Sequence, residues 1–383
     1  MFERVLYAFK RPRTHFGLAI DQLRYHINLL LYKLYRRLYF IRSVCVDETN
    51  VFCENPFKHF EVKHDGNVYL CCSGWLPRPI GNLKHTNPGE IWNSRIAQDI
   101  RRSILNGSFA YCNKERCRIL QSGTLPKRSA IKNVHLQNII NDEILKLDRG
   151  PHLVNVCYDK TCNLYCPSCR TEVIRLKGKE HAAVLKMQED LLTWEAFKQV
   201  KVMTVTGSGD AFGSIIYRDL LQKFNPNELP NLRFHLLTNG LLLSEKMWDS
   251  VKNIHGRIIA LSISIDAATP ETYEKLRRGG KFNILRKRLA FVRKLREQKY
   301  LPCLNARFCV QLDNYKEMPD FVKLCKEFKF DTVTFSRISD WGTYTPWEMS
   351  RLFVHKANNL EHQQFLDILN DPIFLEPIVD MGD

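Results

Sequence analysis

Three cysteines, Cys162, Cys166 and Cys169, lie close together in the stretch TCNLYCPSCR. Thiolates bind zinc and iron–sulfur clusters, and a closed site of either kind uses four protein ligands. Three thiolates on a four-iron cube leave one iron with an open position, which can bind and activate a small molecule. The C-x3-C-x2-C spacing therefore predicts a reactive [4Fe–4S] cluster. A structural zinc completed by His152 or Cys157 is the alternative.

The surrounding residues predict that these thiols lie on a loop after a strand. The run HLVNVCYD is β-rich and ends just before the first thiol. Five more β-rich runs follow, separated by helical patterns: VKVMTVTG, LRFHLLTNG, RIIALSISID, PCLNARFCVQ and FDTVTFSRI. Strand–helix alternation predicts right-handed crossovers and a parallel sheet. Six units are too few for a complete eight-stranded barrel, so an open barrel and a doubly wound sheet both fit.

Polar segments follow several of the predicted strands. The second strand ends in GSGDAFG, the third in TNG and the fourth in SID. Parallel α/β folds place their active sites at the carboxyl ends of the strands. We therefore expect these segments to converge on the cysteine loop.

Composition and charge indicate where the protein acts. Thirteen cysteines, without a cleavable export signal or a long unbroken apolar run, favour a reducing, cytoplasmic location in which clustered thiols bind metals. The net charge is +16, and residues 1–44 hold nine Lys and Arg against two Asp and Glu. Apolar residues at helical spacing there predict an amphipathic helix, packed on the protein itself or on an anionic membrane surface or partner. No nucleic-acid module is recognisable, so we do not expect nucleic acid as a partner.

Residues 45–120 form a second cysteine-rich region. Its six cysteines are Cys45, Cys53, Cys71, Cys72, Cys112 and Cys117. The piece FEVKHDGNVYLCC alternates on both sides of Asp65 and Gly66, which predicts a hairpin. The segment NPGEIWNSRIAQDIRRSILNG predicts one helix that begins near Pro88 and ends before Gly107.

The cysteine motif after the first strand of a strand–helix series resembles the radical S-adenosylmethionine (SAM) enzymes. The resemblance covers residues 150–345 and implies a partial (β/α)6 barrel, an α/β fold similar to the TIM barrel. It implies that Cys162, Cys166 and Cys169 hold a [4Fe–4S] cluster and that the amino and carboxylate groups of SAM complete it. One electron then cleaves a C–S bond of SAM, and the 5′-deoxyadenosyl radical abstracts a substrate hydrogen.

Later segments resemble the SAM-contacting parts of this family. GSGDAF resembles the G-G-E segment that meets the SAM amino group, and SISID resembles the segment near the ribose and carboxylate. TNG resembles the common ending of the third strand. The resemblance implies a set of SAM-binding residues: Gly207, Gly209, Asp210, Asn239, Ser264 and Asp266. The sequence departs from the family pattern twice, since Asp210 replaces the usual Glu and Ser168 stands where an aromatic residue often touches the adenine.

The N-terminal cysteines resemble the auxiliary-cluster module called SPASM and its shortened form, twitch. Cys53, Gly66 and Cys71 match the opening of the module, and GNLKHTNPGEIWNS continues the likeness. In relatives the module usually follows the barrel, whereas here it precedes it. The resemblance implies four ligands for a second [4Fe–4S] cluster: Cys53, Cys71, Cys112 and Cys117. Two alternatives stay open, namely Cys72 in place of Cys71, because adjacent strand residues face opposite sides, and zinc in place of the cluster.

The resemblance implies an oxidoreductase supplied with electrons by a flavodoxin- or ferredoxin-type donor. Residues 1–44 are too short and too basic for the peptide-recognition domain of peptide-maturing relatives. This favours a carbohydrate-, nucleotide- or lipid-linked substrate, and a peptide or protein side chain is the alternative. A zinc-stabilised basic binding protein is the alternative without chemistry.

Cys309 is a candidate catalytic residue. It shares one face of the fifth predicted core strand with Arg307 and Gln311, because side chains alternate along a strand. If that face lines the barrel, the thiol could return a hydrogen atom to a substrate radical and give epimerisation.

The sequence divides into four parts. We expect a basic helical extension at 1–44, a SPASM-like domain with a helical linker at 45–145, a radical SAM core at 146–345 and a tail at 346–383.

Overall fold

The computed structural model describes residues 50–382. The helix predicted over residues 1–44, and Cys45, lie outside the described residues. The described chain opens with a short helix and three strands: α1 (Asn55–Lys58), β1 (His59–Lys63), β2 (Asn67–Tyr69) and β3 (Gly81–Asn82). β1 and β2 pair antiparallel, so the predicted hairpin is present.

Four helices and a 3-10 turn complete the N-terminal region: α2 (Pro88–Trp92), α3 (Arg95–Leu105), α4 (Arg118–Gln121), the turn Arg128–Ala130 and α5 (Val134–Asn141). The single helix predicted over residues 87–107 was wrong, because α2 and α3 are separate. The Ser94 side chain accepts a hydrogen bond from the backbone N–H of Ala97 and so starts α3 as a new helix. Gly107, at φ +72°, follows the end of α3 as predicted.

Strands and helices alternate through the core, as predicted. The strands are β4 (Leu153–Cys157), β5 (Val202–Val205), β6 (Arg233–Thr238), β7 (Ile258–Ser264), β8 (Leu304–Val310) and β9 (Thr332–Arg337). The helices are α6 (Gly178–Thr193), α7 (Ile215–Gln222), α8 (Glu245–Ser250), α9 (Pro270–Leu276), α10 (Phe282–Glu297) and α11 (Met318–Glu327). Short 3-10 helices cover Glu195–Gln199, Lys252–Ile254 and Tyr315–Glu317. Between residues 50 and 382, no helix combines the length and apolar character that crossing a bilayer requires.

The segment from residue 346, predicted as a tail, forms regular structure up to its last described residues. Its elements are α12 (Pro346–Leu352), α13 (His362–Leu369), the 3-10 helix Pro372–Leu375 and β10 (Val379–Met381). Asp380 of β10 forms an ion pair with Arg118 of α4 at 3.1 Å. The C-terminal strand is therefore tied to the N-terminal region.

One ten-stranded sheet joins both regions, in the order β10-β9-β8-β7-β6-β5-β4-β1-β2-β3. The core strands β4 to β9 pair parallel with their neighbours, which confirms the predicted parallel α/β fold. The N-terminal strand β1 also pairs parallel with β4, placing Glu61 opposite Asn155 and Lys63 opposite Cys157. The N-terminal region thus extends the barrel wall by one strand.

The two faces of this sheet differ in character. Phe60 packs against Trp194 with ring centroids 5.7 Å apart, and Phe308 packs against Phe321 of α11 at 4.8 Å. These apolar contacts define the outer face, beneath the helices. Because side chains alternate along a strand, the residues next to Phe60 on β1 and next to Phe308 on β8 face the barrel lumen.

Candidate active site

The thiols of the predicted cluster follow the carboxyl end of β4 on one loop. The backbone N–H groups of Cys169 and Arg170 both donate to the carbonyl oxygen of Cys166, at 2.9 and 3.0 Å, so the loop turns tightly. Cys166 is buried, Cys162 is half-buried and Cys169 is exposed. Burial raises the pKa of the Cys162 thiol to about 11. The free thiolate is therefore disfavoured at neutral pH, and this thiol ionises when it binds a metal.

The predicted alternative for this loop, a zinc site, needs a fourth ligand. His152 precedes β4 whereas the thiols follow it, and five strand residues span about 16 Å. His152 is thus too far from the thiols to complete the site. Cys157 faces the lumen, where its thiol donates to the side-chain oxygen of Asn155 at 3.2 Å.

N–H donors surround the first two sulfurs. The Cys162 sulfur accepts from the Leu164 backbone N–H at 3.5 Å and from the Asn239 amide at 3.7 Å. The Arg277 guanidinium approaches the Cys166 sulfur at 3.8 Å. Hydrogen bonds to the sulfurs stabilise thiolate ligands and tune the potential of an iron–sulfur cluster.

Arg170 connects the third thiol to the neighbouring strand end. Its guanidinium donates to the Cys169 sulfur at 3.2 Å and to the carbonyl oxygens of Lys160 and Ser208, at 2.6 and 2.7 Å. Lys160 lies just after β4 and Ser208 just after β5. One buried side chain therefore fixes the cluster loop against the GSGDAFG segment.

The predicted glycines of this segment lie against β4 and the cysteine loop that follows it. A Cβ at Gly207 would lie 2.7 Å from the Cys157 sulfur, and one at Gly209 would lie 2.7 Å from the Thr161 carbonyl oxygen. Both distances are shorter than any ordinary contact. Gly207 therefore allows the segment after β5 to approach the end of β4, and Gly209 allows it to approach the loop after β4.

Asp210 is fully buried, and its carboxylate is engaged by the protein itself. One oxygen accepts from the backbone N–H groups of Phe212 and Gly213, at 3.0 and 2.9 Å. The other accepts from the Thr238 hydroxyl and the Asn239 backbone N–H, at 2.9 and 2.7 Å. Burial raises the pKa of this carboxyl. A carboxylate has about four acceptor positions, and these four hydrogen bonds occupy them. Through its bond to the Asn239 backbone, Asp210 holds the Asn239 amide beside the Cys162 sulfur.

Asp266 and Arg277 form an ion pair on the other side of the thiols. Their charged groups lie 2.7 Å apart and are almost fully buried. The second Asp266 oxygen accepts from the Cys309 backbone N–H at 2.7 Å, and Asp266 has a φ of +66°. Such a conformation is costly for a non-glycine residue and often occurs at functional sites. Ser264, at the end of β7, lies opposite Arg307 of β8.

Two buried polar atoms beside these thiols have no partner in the described part of the chain. They are the Tyr273 hydroxyl and the Nε–H of Arg277, both on one turn of α9 and its end. Burial raises the pKa of the Tyr273 hydroxyl, and the charges of Arg277 and Cys166 also act on it. Buried polar atoms are normally hydrogen-bonded. The three thiols and these two donors therefore fit an iron–sulfur cluster with a ligand that carries a carboxylate, as SAM does.

The second set of thiols lies around a single pocket of the N-terminal region. Asn55, Trp75 and apolar side chains line it together with the four predicted ligands: Cys53, Cys71, Cys112 and Cys117. Asn55 donates to the Cys71 sulfur at 3.5 Å. Within residues 50–382, no three His, Cys, Asp or Glu side chains are arranged to hold a single metal ion. The donor set, four thiols with apolar walls, fits a fully ligated [4Fe–4S] cluster.

Cys72 does not line this pocket. It is exposed, and its thiol lies near Glu61 and Lys63, on the lumenal side of β1. The adjacent cysteines thus face different sides, and the arrangement favours Cys71 as the ligand.

Cys309 lies on the lumenal face of β8 near its carboxyl end. It packs against the small apolar cluster of Ile338, Met349 and Leu352, which follows β9. The thiol is therefore near the barrel mouth and is half-buried. Its predicted role as a hydrogen donor stays a prediction.

Sequence analysis missed the polar lining of the lumen. The Asn155 amide donates to the Glu61 carboxylate at 2.8 Å, and the His235 Nε2 lies 2.9 Å from the Ser262 hydroxyl. Asn305 lies 3.5 Å from the same hydroxyl. The signal for these residues was a polar side chain at alternate positions of otherwise apolar strands.

Family models match two parts of the chain. The model for SPASM, an iron–sulfur cluster-binding domain, matches residues 53–118. The model for the radical SAM superfamily matches residues 159–325. The first range contains the thiols of the N-terminal pocket, and the second contains the loop after β4.

Relatives and solved structures are similar to parts of the chain. The GTP 3′,8-cyclase of Desulforamulus reducens is 25% identical over 204 residues, which cover 52% of this chain and 59% of the cyclase. This chain thus spans about three fifths of that relative. Streptococcus suis SuiB bound to S-adenosylmethionine is 16% identical at a TM-score of 0.43, covering 77% of this chain and 62% of SuiB. SuiB bound to the precursor peptide SuiA is 14% identical at a TM-score of 0.41, covering 79% and 66%.

Proposed function

We propose that this chain, a member of the radical SAM superfamily with a SPASM domain ahead of its core, is an oxidoreductase. Its proposed substrate is carbohydrate-, nucleotide- or lipid-linked. The [4Fe–4S] clusters and SAM that these domains imply supply, when bound, a 5′-deoxyadenosyl radical that removes a hydrogen atom from the substrate. The observation that carries the proposal is the loop after β4. Its three thiols lie beside the Tyr273 hydroxyl and the Arg277 Nε–H, which find no hydrogen-bond partner among residues 50–382.

The residues of the core have distinct proposed roles. Cys162, Cys166 and Cys169 hold the SAM-binding cluster, and Gly207 and Gly209 let the two loops close around it. Asp210 positions Asn239, while Asp266 holds Arg277 in place. Ser264 is proposed to contact SAM from the end of β7. The Tyr273 hydroxyl and the Arg277 Nε–H would donate to a carboxylate oxygen of SAM.

The N-terminal thiols have a different proposed role. Cys53, Cys71, Cys112 and Cys117 would close all four positions of a second cluster. A closed cluster offers SAM no open iron, so it would exchange electrons only. Acceptance of an electron from a substrate radical would make the net reaction an oxidation.

The polar lumen supports a polar, hydroxyl-bearing substrate. Asn155, His235, Ser262 and Asn305 present hydrogen-bonding groups along the inner wall. Cys309 of β8, near the barrel mouth, has the alternative proposed role. If its thiol returned a hydrogen atom to the substrate radical, the reaction would be an epimerisation and the second cluster would accept no electron. An electron donor of flavodoxin or ferredoxin type would reach the first cluster past the exposed Cys169.

SAM cleavage tests this proposal directly. Anaerobically reconstituted, dithionite-reduced protein should convert SAM to methionine and 5′-deoxyadenosine, measured by liquid chromatography and mass spectrometry. Replacing Cys162, Cys166 and Cys169 by Ala should abolish the products. Cys325→Ala is the matched control, because it removes a buried thiol on α11, away from the loop. Undiminished cleavage by the triple variant would overturn the assignment.

The substrate class needs a separate experiment. The reduced protein is incubated with SAM and pools of nucleotide sugars, lipid-linked sugars or synthetic peptides. Stimulated 5′-deoxyadenosine formation with a carbohydrate pool is the expected result. Stimulation by peptides alone would contradict the proposed substrate class and leave the radical chemistry in place.

A further inference from the structure

Strand β1 belongs to the N-terminal region, yet it forms part of the barrel wall. All five of its residues pair with β4, from His59 opposite Leu153 to Lys63 opposite Cys157. Phe60 faces outward against Trp194. Glu61 and Lys63, on the other face, therefore point into the lumen.

The Lys63 side chain carries a positive charge into this wall. Only 16% of the side chain is exposed. Within residues 50–382, its ammonium forms no hydrogen bond, and the nearest carboxylate oxygen, on Glu61, lies 3.9 Å away. An ammonium has three donors, and burying a charge is costly unless it is paired and hydrogen-bonded. The Lys63 ammonium thus lacks close acceptors.

Glu61 cannot approach Lys63 more closely without losing other hydrogen bonds. One of its oxygens accepts from the Ser73 backbone N–H at 3.1 Å, and the other accepts from the Asn155 amide at 2.8 Å. The carboxylate is therefore fixed in the wall. It orients Lys63 electrostatically and leaves the three donors of the ammonium available to another acceptor.

An exposed tryptophan lies next to the same ammonium. The Lys63 Nζ lies 5.9 Å from the ring centroid of Trp341, on the segment that follows β9. Trp341 is 65% exposed, which is unusual for so large an apolar side chain. Further along this segment, the half-buried Tyr344 packs against the cluster of Ile338, Met349 and Leu352, next to Cys309. The segment therefore extends from Lys63 on β1 towards Cys309 near the carboxyl end of β8.

A second cation lines the lumen from the opposite wall. Arg307 of β8 faces inward, because its neighbour Phe308 faces the helices. Burial, with a smaller contribution from the Arg307 charge, lowers the pKa of His235 to about 4, so His235 is neutral at physiological pH. Lys63 and Arg307 thus both bring a positive charge to the lumen, where Glu61 brings a negative one.

We propose that Lys63 binds an acidic group of the substrate, a carboxylate or a phosphate, with Trp341 covering the bound group. This inference rests on the proposed function, since it assigns the substrate of that reaction to an anionic class. It also gives the SPASM domain a substrate-binding residue in addition to its cluster ligands.

Lysine footprinting tests the site without the unidentified substrate. The anaerobic holoprotein is reductively methylated with formaldehyde and a borane, and modification is read peptide by peptide by mass spectrometry. The probes are inorganic pyrophosphate and succinate, each compared with sodium chloride at equal ionic strength. Lys84, exposed in the same N-terminal region, is the internal control.

We expect at least one probe to slow the methylation of Lys63 about tenfold and to leave Lys84 unchanged. Protection by pyrophosphate identifies a phosphate-bearing substrate, and protection by succinate identifies a carboxylate-bearing one. Equal rates at Lys63 with both probes and with chloride would overturn the proposal. Glu61→Gln, which removes the neighbouring negative charge, should lower the concentration of probe that gives half protection.

The outcome is independent of the radical reaction. Protein that cleaves SAM but shows no protection at Lys63 retains the proposed function and loses this site. Protein that protects Lys63 but cleaves no SAM loses the proposed function and retains an anion site. Once a substrate that the enzyme converts is known, Lys63→Met should raise the KM for that substrate at least tenfold. Lys63→Arg should raise it less, because the positive charge is kept, and Lys84→Met should match the wild type.

Discussion

Two adjacent thiols differ in what lies around them. Cys71 lines the N-terminal pocket with three other cysteines, whereas Cys72 lies near Glu61 and Lys63. We predict that Cys71→Ala loses about four irons per chain and that Cys72→Ala keeps them, because only the first removes a cluster ligand. Iron and sulfide counts on anaerobically purified protein check this. Loss of iron from Cys72→Ala alone would reverse the ligand assignment.

His235 makes the core sensitive to acid. Burial lowers its pKa to about 4, whereas an unfolded histidine titrates near 6.5. The unfolded chain therefore binds more protons in this window, and stability is lost as pH falls from about 6.5 towards 4. Between about pH 8 and pH 5.5 this histidine should cost the folded state about 1 kcal/mol.

His235→Gln should remove that share of the acid sensitivity while keeping a donor near Ser262. The measurement is the shift in the thermal midpoint between the two pH values, followed by circular dichroism. His85→Gln, at an exposed position, is the control and should behave like the wild type. If the thermal midpoint shifted equally between the two pH values in His235→Gln and in His85→Gln, the assignment of the acid sensitivity to His235 would be contradicted.

At the scale of elements, the loops after β4 and β5 pack so closely that position 209 has no room for a side chain. A Cβ at Gly209 would lie 2.7 Å from the Thr161 carbonyl oxygen and still closer to that of Asp159. We predict that Gly209→Ala displaces the cluster loop, at a cost of about 1–3 kcal/mol, and loses the iron of the first cluster with SAM cleavage. Iron counts and 5′-deoxyadenosine assays measure both effects.

Gly74→Ala is the matched control for this prediction. A Cβ there would have its nearest neighbour, the Cys72 sulfur, at 3.7 Å, an ordinary contact. This variant should keep both clusters. Full iron content in Gly209→Ala would show that the two loops can separate without loss of the site.

Local sequence patterns predicted most helices and strands. Features that depend on pairing between distant residues could not be predicted in this way. The six core strands were predicted because short apolar runs ending in polar segments are local signals. The pairing of Glu61 with Asn155 joins residues far apart in sequence, and no local pattern carries it. The break between α2 and α3 depended on the cap at Ser94. The resemblance predicted that Asp210 contacts SAM. Its hydrogen bonds to the protein could not be predicted from the sequence, because two of the four come from the end of the neighbouring strand β6.

At the scale of the whole molecule, the continuous sheet predicts cooperative unfolding of the described regions. β1 and β4 share a parallel ladder, and the Arg118–Asp380 ion pair joins the N-terminal region to β10. We predict one calorimetric transition for residues 50–382 and a lower midpoint for the whole protein when Cys53 and Cys117 are replaced by Ala. Hydrogen exchange of β4 peptides should accelerate in that variant. Unchanged exchange in β4 would show that the core is independent.

The strand shared between the two regions also makes their ligands thermodynamically reciprocal. If iron loading of the N-terminal pocket alters how β1 presents Lys63, substrate affinity changes by some factor, and bound substrate must change the affinity for iron by that same factor. Protein that lacks iron in the N-terminal pocket would then lose a redox centre and also bind its substrate with a different affinity. Substrate affinity would in that case depend on whether the second cluster is bound, because β1 contributes both to the SPASM domain and to the barrel wall.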